Sequence, residues 1–258
     1  MNTFTELLEK LGLKGKGHEE KNEGKDGGFA QRILRLSRMG KTFEGVKDEE
    51  ILSSIMESDI QNIRNTLGGV DRAAFSAAVE MLQNARRIYI IGIRSCQPLA
   101  ELMGFYFNLM FQNITVIQTS SASEIFEQML HIGPEDVLIG ISFPRYSMRT
   151  LKAMEFANSR SAGVIAITDN VNSPINLYSS CNLIAESQMA SVVDSLTAAL
   201  SLVNALVVAL TVRRQEIMKK SLENLEDIWQ DYQFYGKDEM EQPAEGVEIW
   251  QKGAEKDE

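Results

Sequence analysis

Five short apolar blocks lie between residues 86 and 187, and they constrain the fold more than any other feature of the 258-residue chain. They read RRIYIIGI (86–93), NITVIQ (113–118), DVLIGISF (136–143), GVIAITD (163–169) and CNLIAES (181–187). DVLIGI shows no alternation of polar and apolar residues, the pattern of a strand covered on both faces. Helical patterns follow the first three blocks, near 97–111, 122–131 and 148–159, and a brief turn-rich stretch follows the fourth. Strands that alternate with helices build a parallel sheet, and right-handed crossovers place helices on both of its faces. The expected fold class is α/β, a doubly wound five-stranded parallel sheet.

A helical extension precedes the sheet. One helix is expected from Asp48 to about Leu67, broken by Gly68 and Gly69, and a second from Asp71, a good N-cap, to about Asn84. Further upstream, residues 3–13 form a short amphipathic pattern with Phe4, Leu7, Leu8 and Leu11 on one face. Residues 13–28 carry five glycines and many charges, the composition of a flexible linker. FAQRILRLSRMGK then reads as a basic helix with Phe29, Ile33 and Leu36 inward, stopping at Gly40. After the last strand a long apolar helix is expected over about 193–222, and an acidic, disordered tail from Gly236. The expected organisation is an N-terminal region (1–47), one ligand-binding domain (48–235) and the tail (236–258).

Charge excludes a nucleic-acid surface over most of the chain. The net charge is −10, yet residues 1–48 hold ten Lys and Arg against eight Asp and Glu. Any affinity for DNA has to come from that first stretch or from a partner. The most apolar run, Leu196 to Leu210, spans 15 residues and falls short of the roughly 20 that cross a bilayer. No basic start leads into an apolar leader, and Cys96 and Cys181 make no metal-ligand pattern. A cytoplasmic protein without metal, cofactor or membrane partner is expected. Neither GxGxxG nor GxxxxGK[ST] occurs, which speaks against a dinucleotide or nucleoside triphosphate.

Three strand ends supply candidate ligand groups. The first is Gly92-Ile-Arg-Ser-Cys96, with Arg94, Ser95 and Cys96 after a glycine that permits a sharp turn. The second holds Ser120, Ser121 and Ser123, followed by Glu124. The third runs Ser142-Phe-Pro-Arg-Tyr-Ser147, closing a strand where a helix begins, with Thr150 one turn on. Ligands of open α/β sheets sit at strand carboxyl ends, and helix N-termini there favour anions. Capping explains Ser147 but neither Ser142 nor Arg145. Together the three ends suit a polyol phosphate.

Catalysis is less well provided for. An aldose–ketose isomerase needs a base, and the two histidines are poorly placed: His18 in the linker, His131 at the far end of the third strand. Glu124 is the better candidate and Glu186 a second, although an acid in the first turn of a helix also serves its dipole. Met103, Met110, Phe105, Tyr106 and Phe107 read as core or dimer seam. Arg213 and Arg214 suit a helix dipole, Asp169 a turn cap, and Asp194 and Ser195 a helix start.

Several of these segments together resemble a known family. NARRIYIIGIRSCQPLA, GPEDVLIGISFPRYSMRTLKAMEFA, VIAITDNVNSPI and the preceding SDIQNIRNTL and AAFSAAVEML are similar to the sugar isomerase (SIS) domain of RpiR-type transcriptional regulators. The resemblance covers residues 48–222, roughly two-thirds of the chain. It implies a flavodoxin-like sheet, a homodimer or higher homo-oligomer, and a phosphorylated sugar as ligand. It places the phosphate loop on Ser142 and Ser147, with Arg94, Ser95 and Cys96 beside it. Cys96 stands where a second serine is common, and Arg149 where an acid is frequent. The family carries a helix-turn-helix domain of about 75 residues before the SIS domain, the size of a small folding module. Here FAQRILRLSRMGK alone resembles its last helix. The expectation is therefore a phosphosugar-sensing regulator with a truncated or degenerate DNA-binding region. The alternatives are a sugar-phosphate isomerase or lyase using Glu124, a partner subunit that does not bind DNA, and a degenerate copy without a ligand.

Overall fold

The computed structural model describes residue 36 and residues 45–118, 122–188 and 195–232. The expectations for residues 3–13, 13–28 and the tail lie outside them, as do those for Ser120, Ser121 and Asp194. Leu36 is helical but exposed, not inward-facing as the basic segment suggested. An apolar helix position is buried only where another element supplies a facing surface.

From residue 45 on, two helices precede the sheet, α1 (Asp48–Gly69) and α2 (Arg72–Asn84). Asp71 caps α2 as expected, its Oδ1 accepting from the amides of Ala73 and Ala74 at 2.8 and 3.2 Å. Gly68 and Gly69 do not break α1 but form its last turn. The Val70 amide still reaches the Thr66 carbonyl at 2.8 Å, so the helix closes one residue beyond them. Then follow β1 (Arg87–Gly92), α3 (Gln97–Asn108), β2 (Ile114–Val116), α4 (Ala122–Gln128), β3 (Asp136–Ile141), α5 (Met148–Ser159), β4 (Gly163–Thr168) and β5 (Cys181–Ile184).

All five strands pair in parallel, in the order β2-β1-β3-β4-β5. The fold class expected from the apolar blocks is the fold observed. β1 and β3 run in register from Arg87 beside Asp136 to Gly92 beside Ile141, so their carboxyl ends lie level. Ile88, Ile90, Leu138, Ile139, Val164 and Ile165 are buried, as the unbroken apolar runs required. Met103, Phe107 and Met110 are core, while Phe105 turns outward. At the amino ends of these central strands Arg86 clamps the buried Asp136 carboxylate at 3.0 and 2.8 Å, and Asp136 also accepts from the Gly133 amide.

The expected helix over 193–222 is two helices, α6 (Thr197–Arg213) and α7 (Gln215–Tyr232). They belong to separate compact units, Met1–Arg213 and Arg214–Glu258. The boundary follows composition: α6 is apolar around most of its circumference, whereas α7 alternates charged and apolar residues. Arg213 at the end of α6 does more than face a dipole. Its Nη1 donates to Glu80 at 2.7 Å and to Gln83 at 2.8 Å, tying α6 to α2. Among the described residues no single helix is long and apolar enough to cross a membrane.

Candidate functional site

β1 is flanked by β2 on one side and β3 on the other, so the chain reverses its direction of travel across the sheet between β1 and β3. A crevice opens at such a switch point, outside the strand carboxyl ends. The turn after β1 brings Arg94, Ser95 and Cys96 there, and the turn after β3 brings Ser142, Arg145 and Ser147. Gly92, the last residue of β1, is required by close packing: a Cβ there would collide with the Cys96 carbonyl. Arg94 and Ser95 are exposed at the rim, while Cys96 is buried.

The β3–α5 turn is built around its two serines. Ser142 is buried, and its Oγ accepts from the Ser147 amide at 3.0 Å. Ser147 caps α5, its own Oγ accepting from the Thr150 amide at 3.4 Å. The Met148 and Arg149 amides come first in α5, where helix geometry provides no carbonyl to accept them. These two N–H groups and the helix dipole form an electropositive end facing the crevice. The Thr150 hydroxyl, wholly buried in the same turn, has no hydrogen-bond partner among the described residues.

Strain marks the same two turns. Among the described residues three besides glycine have positive φ: Arg94 at 59°, Arg145 at 68° and Ser161 at 60°. Two of the three are the arginines that flank the switch point. Left-handed backbone costs about 1–2 kcal/mol for a residue with a Cβ, and such strain concentrates at ligand sites.

Sequence reading missed the group that holds the β3–α5 turn from the side. Tyr146 Oη donates to Asp169 Oδ1 at 2.8 Å and accepts from Asn170 Nδ2 at 3.0 Å. Burial, then the Asp169 carboxylate, push the Tyr146 phenol up to about 12. Thr168 Oγ1 donates to Asp169 Oδ1 at 3.2 Å, and Asn170 to Asp169 Oδ2 at 2.9 Å. Asp169 is thus the centre of a cross-strand network. The turn cap expected of it is made by Asn170, whose Oδ1 accepts from the Asn172 amide at 2.8 Å. ITDNVNSP signalled a turn but not its partner 23 residues earlier.

A second missed group lies on α1. Asn62, buried, donates to the Gln188 carbonyl and accepts from the Gln188 amide, both at 3.1 Å. Thr66 Oγ1 accepts from the Glu186 amide at 2.8 Å. Asp59 takes the hydroxyls of Ser195 at 2.5 Å and Thr197 at 2.9 Å. Ser195 therefore bonds to α1 in addition to standing before α6. Glu124, the weak candidate base, lies half-buried in the first turn of α4, where its carbonyl accepts from Gln128 at 3.1 Å. His131 is exposed between α4 and β3. No group of three or more His, Cys, Asp or Glu among the described residues is placed to hold a metal ion.

The SIS domain family model matches residues 81–209, from the end of α2 through most of α6. The chain belongs to the SIS domain family. An uncharacterized HTH-type transcriptional regulator of Haemophilus influenzae is 28% identical over 165 residues, which make up 58% of this chain and 56% of that protein. The match thus spans little more than half the length of that relative. The sugar isomerase domain of the RpiR transcription factor from Sphaerobacter thermophilus superposes with a TM-score of 0.66 at 24% identity, covering 69% of this chain and 99% of the other. The Vibrio vulnificus NanR protein, solved in complex with ManNAc-6P, superposes with a TM-score of 0.62 at 18% identity, covering 76% and 75% of the two chains. In SIS terms the switch-point crevice lies wholly within the matched residues.

Proposed function

We propose that this SIS protein is a phosphosugar-responsive regulator of RpiR type, acting in the cytoplasm on carbohydrate metabolism. The observation that carries the reading is the β3–α5 turn. Its serines satisfy each other and the helix cap, leaving the Met148 and Arg149 amides for an anion. A phosphate binds there without metal, and Arg145 and Arg94 supply charge at the rim. Ser95, exposed at the rim, is the group assigned to the polyol; the same role for Ser120 and Ser121 falls outside the described residues. The regulatory role rests on the HTH-type relative from Haemophilus influenzae and on the likeness to RpiR and NanR. A homodimer is part of the same reading.

A thermal-shift panel of sugar phosphates, ManNAc-6P included, tests it. A ligand at 100 times its Kd stabilises the native state by about 2.7 kcal/mol. One member of the panel should raise the melting temperature of the wild type and lose its effect in Ser142→Ala. No shift with any phosphorylated sugar, or a shift unchanged by the substitution, overturns the assignment.

A further inference from the structure

Arg145 has a left-handed backbone, φ 68°, and a residue with a Cβ keeps that conformation only where its surroundings over-determine it. On the upstream side the chain is pinned. Ser142 donates its amide to the Ile167 carbonyl of β4 at 3.1 Å, Phe143 is buried in the core, and Pro144 has a fixed φ and no amide hydrogen. On the downstream side Tyr146 is held through its phenol. The strained residue lies between these two fixed points, and the chain leaving them delivers the Ser147 cap and the Met148 and Arg149 amides to the crevice.

The hold on Tyr146 is a closed triangle. Its Oη donates to Asp169 Oδ1 at 2.8 Å, while Asn170 Nδ2 donates to Asp169 Oδ2 at 2.9 Å and to the phenol at 3.0 Å. The triangle stands on a braced loop. The Asn170 carbonyl accepts from Asn176 Nδ2 at 3.0 Å and from the Ser173 amide at 3.2 Å, and its Oδ1 accepts from the Asn172 amide. Thr168 Oγ1, wholly buried, lies 3.2 Å from Asp169 Oδ1 and 2.8 Å from Ser173 Oγ. All of these groups belong to the end of β4 and the loop after it, and the phenol carries their rigidity across to the turn after β3. As a charge, a carboxylate beside an anion site is unfavourable. What Asp169 offers there is geometry.

We infer that Tyr146 and Asp169 are positioning residues of the anion site: the pair fixes the strained turn so that the Met148 and Arg149 amides are presented to one phosphate, and neither side chain touches the ligand. The inference rests on the phosphosugar reading and adds to it what prepares the site. A turn ordered in advance spares the ligand the cost of ordering it, so the loss of either partner is read in affinity.

The test titrates inorganic phosphate into the full chain at constant ionic strength, well below the melting temperature of every variant. Tyr146→Phe and Asp169→Ala should each weaken binding about tenfold. Asp169→Asn loses the charge but keeps an acceptor for the phenol, and should regain most of the affinity. Ser180→Ala removes one hydrogen bond at the other end of β4, where Ser180 Oγ accepts from the Val164 amide at 3.2 Å, and should bind phosphate as the wild type does. Four results overturn the inference while leaving the site standing: wild-type affinity in Tyr146→Phe, tighter binding in Asp169→Ala, an Asp169→Asn no better than Asp169→Ala, or an equal loss in Ser180→Ala. A wild type that binds no phosphate removes the site itself, and the inference with it.

Discussion

Tyr146 donates its phenolic proton to Asp169 across 2.8 Å, joining the turn after β3 to the end of β4. Removing that hydroxyl in Tyr146→Phe should cost about 1 kcal/mol in urea unfolding, because Asp169 keeps its bonds from Thr168 and Asn170. A pH dependence follows as well. The folded phenol is raised to about 12, whereas an unfolded tyrosine releases its proton near pH 10. Below pH 10 both states hold the proton and stability is unaffected. As pH rises from 10 towards 12 the unfolded chain deprotonates first, and stability falls. Melting curves from pH 9 to 12 should fall more steeply for the wild type than for Tyr146→Phe. Parallel curves would show that the tyrosine does not hold its proton in the fold.

Arg145 sits at φ 68° between Pro144 and Tyr146, in the turn proposed to hold phosphate. Arg145→Ala keeps the left-handed strain, while Arg145→Gly relieves it. The glycine variant should therefore be the more stable of the two by about 1 kcal/mol. Both lack the guanidinium, so both should bind the responsive sugar phosphate equally weakly, several-fold below wild type. Calorimetric titration beside chemical denaturation separates the two effects. Full affinity in either variant removes Arg145 from the ligand.

Two strand glycines should respond differently to an added methyl group. At Gly92 the new Cβ collides with the Cys96 backbone carbonyl, which cannot yield without moving the whole β1 turn. At Gly140 it meets the Met154 side chain, whose thioether can rotate away. Gly140→Ala should cost about 1–3 kcal/mol, the usual range of a tight core insertion. Gly92→Ala should cost more and should also impair ligand binding, since Arg94 and Ser95 ride on the displaced turn. The order of the two denaturation midpoints is the check.

Local chemistry carried much of the fold and part of the site. β3 and α5 were legible because five apolar residues without alternation, Val137 to Ile141, precede a turn that ends on a capping serine, and Ser147 caps as its position promised. Asp71 behaved likewise. The division at Arg214 was not legible, because apolar and amphipathic helices adjoin there with no proline or glycine between them. Nor was the role of Asp169, read as a turn cap, since its partner Tyr146 lies in another turn.

The sequence by itself determined that five strands and their helices form a parallel α/β sheet, and which serines end those strands. Period, capping and the burial demanded by unbroken apolar runs are properties of short windows. Only the tertiary structure decided that β1 and β3 are neighbours, so that Arg94 and Ser147 approach one crevice, and that α1 buries Asn62 and exposes Leu52. Those outcomes depend on which distant segment supplies the facing surface. Asn62 turns inward because the Gln188 main chain, 126 residues away, offers both a donor and an acceptor.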